Sequence, residues 1–194
     1  MKSNVEKLVS LRLNRVAPRA AKAASVAAWN ALSSEERKQA NESLVFISFA
    51  HETKLIPDPF EHSNENPPRP DVLTRIDGSE YFFELGEITD EALAKNIAYS
   101  IKAKTVTGCA LSQEEPLAKM LKQKCEKPYE TGGAQVDLLL YYWRQSQYEE
   151  TIVEYLNKNN LEIGKLLHGS QFANIWIYDL DSETVLWKIG KKKA

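Results

Sequence analysis

The chain has 194 residues, 43% of them hydrophobic, enough for one domain with a sizeable core built as about two layers around a sheet. Its 25 lysines and arginines stand against 27 aspartates and glutamates, which excludes a global electrostatic case for nucleic-acid binding and leaves only a local basic footprint. The opening MKSNVEKLVSLRLNRVAPRAA lacks the continuous apolar core of a signal peptide, and no run approaches the roughly 18 apolar residues of a membrane helix. Cys109 and Cys125 have neither zinc-finger spacing nor a disulfide framework. These features predict a soluble cytoplasmic protein that does not engage a membrane.

Between Met1 and Lys22, Lys2, Lys7, Arg12, Arg15, Arg19 and Lys22 face only Glu6, and Val5, Leu8, Leu11 and Leu13 suggest a short amphipathic helix. That segment is either a phosphate-contacting arm or a solvated helix packed by its leucines. A second helix is expected from Arg19 to Leu32, and Ser33 or Ser34 ahead of Glu35 and Glu36 marks a fresh helix start. LVFISFAH, Leu44 to His51, is rich in branched and aromatic residues and fits a buried strand or the end of the preceding helix; we take the strand. The chain then divides into an N-terminal helical segment over 1–43 and an α/β core over 44–194, within a single compact domain overall. Pro57, Pro59, Pro67, Pro68 and Pro70 make the stretch from Ile56 to Pro70 an extended surface loop.

A hairpin follows in RPDVLTRIDGSEYFFELGE, and Thr89 or Asp90 then caps a helix reaching about Lys104. Leu93, Ile97 and Ile101 fall on one face of it, with Lys95, Tyr99 and Lys102 on the other. Leu111 to Lys127 forms a loop or second helix, ended by Thr131-Gly132-Gly133. Ala134 to Trp143, AQVDLLLYYW, reads as a strand buried on both faces, parallel to the second hairpin strand. A helix through Tyr148, Ile152 and Tyr155 and a closing hairpin around Asp179 to Glu183 complete an α/β sandwich with a central mixed sheet flanked by helices.

Asp77-Gly78 predicts a two-residue type I′ turn, because both central positions need positive φ and these residues adopt it at low cost. Pairing Ile76 with Ser79 makes paired residue numbers sum to 155, which sets Asp71 opposite Glu84 on the same face with β-carbons about 5 Å apart. Like charges placed there ask for a shared cation or full solvation, and Mg²⁺ is commonly held by one or two carboxylates plus water and phosphate oxygens. Val72, Thr74, Ile76, Tyr81, Phe83 and Leu85 supply the opposite, apolar face, which leaves the carboxylate face nearer solvent or a cleft.

Pro70-Asp71, then Glu84 in YFFELGE, then a helix and the buried strand QVDLLLYYW, resembles the PD-(D/E)XK nuclease superfamily over roughly Leu44 to Trp143. The resemblance implies a restriction-endonuclease-like α/β sandwich, Mg²⁺ (or Mn²⁺) bound by Asp71 and Glu84, and hydrolysis of nucleic acid, in the first instance DNA. In that family a lysine two residues after the glutamate orients the attacking water, but Gly86 stands at that position. Glu87, re-aimed by a bulge at Gly86, or Lys95, reaching back from the following helix, is expected to take over. The alternative is a nuclease-fold protein without catalysis, acting as a nucleic-acid-binding or protein-interaction module; a homodimer is compatible with either.

Glu42 and Glu52 are candidates for an additional helix acid. Tyr141, Tyr142 and Trp143 fit base stacking or core packing. His51, His62 and His168 show no metal-ligand spacing, and there is no phosphate-cradling glycine loop, GxSxG elbow or Cys/His nucleophile pairing.

Overall fold

The computed structural model describes residues 29–55, 59–62, 68–89, 116–142 and 148–191, with backbone alone at 148–151. The chain divides into two units, Met1–Lys54 and Leu55–Ala194.

In the first unit, helix α1 (Ser34–Glu52) starts at a capping box. Ser33 Oγ accepts the Glu36 N–H at 3.2 Å and Glu36 Oε2 accepts the Ser33 N–H at 2.8 Å. The strand expected over Leu44 to His51 is instead the second half of α1. Nothing between Ser33 and Glu52 stops a helix: there is no proline or glycine, and a capped nucleus propagates through the branched residues. Val45, Phe46 and Phe49, one apolar stripe at helical spacing, are completely buried. The helix ends where Thr53 Oγ1 donates to the Phe49 carbonyl at 2.7 Å and Lys54 turns to φ 56°. The basic arm of Met1 to Lys22, most of the helix expected from Arg19 to Leu32, and the helix of Asp90 to Lys104 lie outside the described residues.

The second unit carries a six-stranded mixed sheet in the order β1 (Glu61–His62), β2 (Val72–Ile76), β3 (Ser79–Glu87), β4 (Gln135–Tyr142), β5 (Phe172–Asp179), β6 (Thr184–Gly190). Strands β1 to β3 are antiparallel, β3–β4 and β4–β5 are parallel, and β5–β6 is again antiparallel. The Asp77-Gly78 turn has φ of 52° and 77°, the positive pair a type I′ turn requires. Helices α2 (Pro116–Glu126) and α3 (Tyr148–Gly169) cover one sheet face. Leu117, Leu121 and Cys125 of α2 and Leu156, Ile163 and Leu167 of α3 pack there with Phe82, Leu138, Leu140 and Ile177.

This packing corrects one expectation. The carboxylate face of the hairpin is not the wet one: Phe82 and Glu84 share the helix-covered face, while Val72 and Phe83 on the other face are equally buried. Strand β3 is interior, with β2 on one side and β4 on the other, and strands next to parallel crossovers are covered on both faces. Among the described residues no helix is long and apolar enough to cross a membrane.

Candidate active site

The turn sets the register: Ile76 pairs with Ser79 and Val72 with Phe83, where the pairing ends, so Asp71 follows just beyond the paired strand on the line that leads to Glu84. Asp71 lies one residue ahead of β2, half-buried, and Oδ2 of its carboxylate accepts the Leu85 N–H at 2.8 Å. Glu84 is 1% exposed. Its Oε1 takes the Lys124 ammonium at 2.5 Å and lies 3.6 Å from that of Lys127. Its Oε2 is buried with no hydrogen-bond partner among the described residues. Burial, reinforced by the Asp71 carboxylate, raises the Glu84 pKa against the opposing pull of Lys124 and Lys127.

Lys124 was not among the residues singled out from the sequence, and it is central here. On α2, Leu117, Leu121 and Cys125 recur every four residues toward the core, so Lys124 stands at the margin of that stripe. There its stem lies on the sheet while its ammonium reaches Glu84 Oε1 and the Leu85 carbonyl, the latter at 2.7 Å. The stem passes over Gly86. A Cβ at that glycine would lie 2.8 Å from Leu140 Cδ2, 3.2 Å from Met120 Sδ and 3.4 Å from Lys124 Cε. The glycine therefore leaves room for a lysine arriving from another element.

The bulge expected at Gly86 is absent. Gly86 pairs with Leu140 and Glu87 with Tyr141 in unbroken register, because β3 stays fully hydrogen-bonded to β4 to its end. Glu87 is exposed on the strand face away from Glu84 and is not brought to it. Lys95 lies outside the described residues.

The α2–β4 loop adds another group. The Gln171 side-chain amide clasps the Tyr129 backbone, accepting its N–H at 2.6 Å and donating to its carbonyl at 3.1 Å. The Glu130 N–H donates to the Pro68 carbonyl at 2.9 Å, tying this loop to the segment leading into Asp71. Tyr129 is buried, its ring packs on Phe172 with centroids 5.7 Å apart, and the Lys127 ammonium sits 4.9 Å from its centroid. Its hydroxyl has no partner among the described residues. Burial first, then the charge of Glu84, pushes its pKa up, so the phenol keeps its proton.

The donor set suits a hard cation in one respect: a buried carboxylate oxygen, Glu84 Oε2, has no hydrogen-bond partner among the described residues and faces a second carboxylate's field. No group of three or more His, Cys, Asp or Glu side chains able to hold a metal occurs among the described residues. Glu42 is buried 3.7 Å from Lys38 on α1, and Glu52 is exposed at its end, both in the other unit. His51 and His168 are exposed, whereas Tyr141 and Tyr142 are buried in the sheet.

A second buried carboxylate, Asp137 on β4, was also missed. It accepts hydrogen bonds from Asn174 Nδ2 at 2.8 and 2.9 Å and from Trp176 Nε1 at 2.8 Å, on the face opposite Glu84. No family model matches the chain, and neither a curated protein nor a solved structure matches it.

Proposed function

We propose that the chain is a metal-dependent nuclease of PD-(D/E)XK type that hydrolyses phosphodiesters, with DNA as substrate and Asp71 and Glu84 holding Mg²⁺ or Mn²⁺. The single observation that carries this reading is the Lys124 ammonium, which crosses Gly86 to reach Glu84 Oε1; in this reading it takes the place of the lysine missing from the strand. When bound, the metal would lower the pKa of a water and neutralise charge on the departing oxygen. In this reading Glu84 divides its two oxygens, Oε1 going to Lys124 and Oε2, without a hydrogen-bond partner among the described residues, to the ion. Lys124, held by Glu84 Oε1 and the Leu85 carbonyl, places a positive charge beside that ion to orient a water and stabilise developing negative charge. Lys127, more exposed, is set to contact a phosphate of the substrate. The expected fold is accordingly the restriction-endonuclease-like sandwich.

A second reading, a binding module without catalysis, is favoured by the same ion pair taken as purely structural, since Lys124 already gives Glu84 a close cationic partner. Plasmid nicking in Mg²⁺ or Mn²⁺ separates the two. Lys124→Met and Asp71→Ala should each lower the nicking rate by roughly 10²-fold or more, the scale of removing one preorganised charge. Nicking that survives both losses removes the site assignment, and intact salt-dependent DNA binding without nicking in the wild type supports the module.

A further inference from the structure

The site holds two buried polar atoms that no described residue satisfies: Glu84 Oε2 and the Tyr129 hydroxyl. A phenol can donate to a carboxylate, and buried groups of this kind are nearly always paired. They share one neighbourhood, because the Lys127 ammonium lies 3.6 Å from Glu84 Oε1 and 4.9 Å from the centre of the Tyr129 ring. The tyrosine is also firmly placed: Gln171 grips its backbone on both sides, its ring rests on Phe172, and it is only 4% exposed. So much fixation serves packing alone poorly, since a phenylalanine would fill the same volume without burying an unpaired hydroxyl.

We infer that Tyr129 is a positioning residue of this site, its hydroxyl set beside the Glu84 carboxylate so that the carboxylate is oriented for a divalent cation. The inference rests on the metal-site reading of Asp71 and Glu84. Lys124 anchors one oxygen of Glu84 and the Tyr129 hydroxyl orients the other, so the carboxylate plane is set before the ion arrives.

Mn²⁺ titration of the intact chain by calorimetry, without nucleic acid, tests the inference on wild type, Asp71→Asn, Tyr129→Phe and Gln171→Ala, with thermal melting as the folding control. The wild type should bind Mn²⁺ and Asp71→Asn should not. Tyr129→Phe, which keeps the ring, should weaken binding roughly tenfold or more, the range found when a hydrogen-bond partner of a metal ligand is removed. Gln171→Ala keeps the hydroxyl but frees the loop, and should show a smaller loss of the same sign. If the wild type and Tyr129→Phe bind equally while Asp71→Asn does not, Tyr129 has no positioning role and the metal site stands. If the wild type itself does not bind Mn²⁺, the metal site falls and the role of Tyr129 with it. A variant that loses affinity only in proportion to lost folded fraction also overturns the inference.

Discussion

Glu84 and Asp137 are both 1% exposed, on adjacent strands of one sheet, yet they are built in opposite ways. Asp137 faces away from α2 and α3 and meets neutral donors: the Asn174 amide at both oxygens, the Trp176 indole N–H and, at 3.4 Å, the Gln135 amide, itself hydrogen-bonded to the Tyr81 hydroxyl. Glu84 faces the helices with two lysines at one oxygen and nothing described at the other. Burial raises the pKa of both. A buried carboxylate ringed by donors ties β4 to β5, whereas one left half-satisfied beside a second acid is an arrangement a fold gains little from on its own. The contrast fits a structural role for Asp137 and agrees with the proposed chemical role of Glu84.

The sharpest way to break that contrast is to remove each carboxylate in turn. Asp137→Ala takes the acceptor from the Asn174 and Trp176 donors and should cost about 2–4 kcal/mol in urea unfolding, given about 1–3 kcal/mol for each buried donor deprived of its partner. Glu84→Gln should cost far less stability than Asp137→Ala, and equal losses would erase the distinction.

A smaller effect is expected at Gly86. Gly86→Ala puts a methyl group 2.8 Å from Leu140 Cδ2 and against the Lys124 stem, and should destabilise by about 1–3 kcal/mol, as overpacking does. It should also lower nicking beyond what the stability loss explains, because Lys124 must shift. Unchanged nicking in a folded Gly86→Ala protein would argue that the Lys124 position is incidental.

The smallest expected effect is in pH dependence. Burial raises the folded-state pKa of Glu84 above its ordinary value of 4.5, so the native state holds that proton more tightly than the unfolded chain does. Its contribution favours folding below pH 4.5 and is lost as pH rises through the higher folded-state pKa. Asp137 acts with the same sign. Glu84→Gln should therefore show a shallower decline of urea midpoint with rising pH than wild type, keeping only the Asp137 share; parallel curves would mean that Glu84 is not titrating as a buried acid.

Local chemistry made part of this site readable from residues alone. Asp-Gly specifies the turn, the turn specifies the register, and a period of two brings Asp71 and Glu84 into line with no knowledge of the rest of the chain. The parallel placement of β4 beside β3 was likewise legible, since QVDLLLYY is apolar enough to be buried on both sides. LVFISFAH misled because branched and aromatic residues favour a strand only weakly, and the cap at Ser33 with its unbroken run to Glu52 outweighs them.

What the sequence by itself determined is the hairpin and its register, because each depends on residues within about one turn or one strand of its partner. What only the tertiary structure decided is the company the buried acids keep. Lys124 meets Glu84 across 40 residues, and Trp176 meets Asp137 across 39, through the packing of helix on sheet and of strand on strand. No local pattern encodes such distances; they are set by which apolar faces the whole chain can bury together.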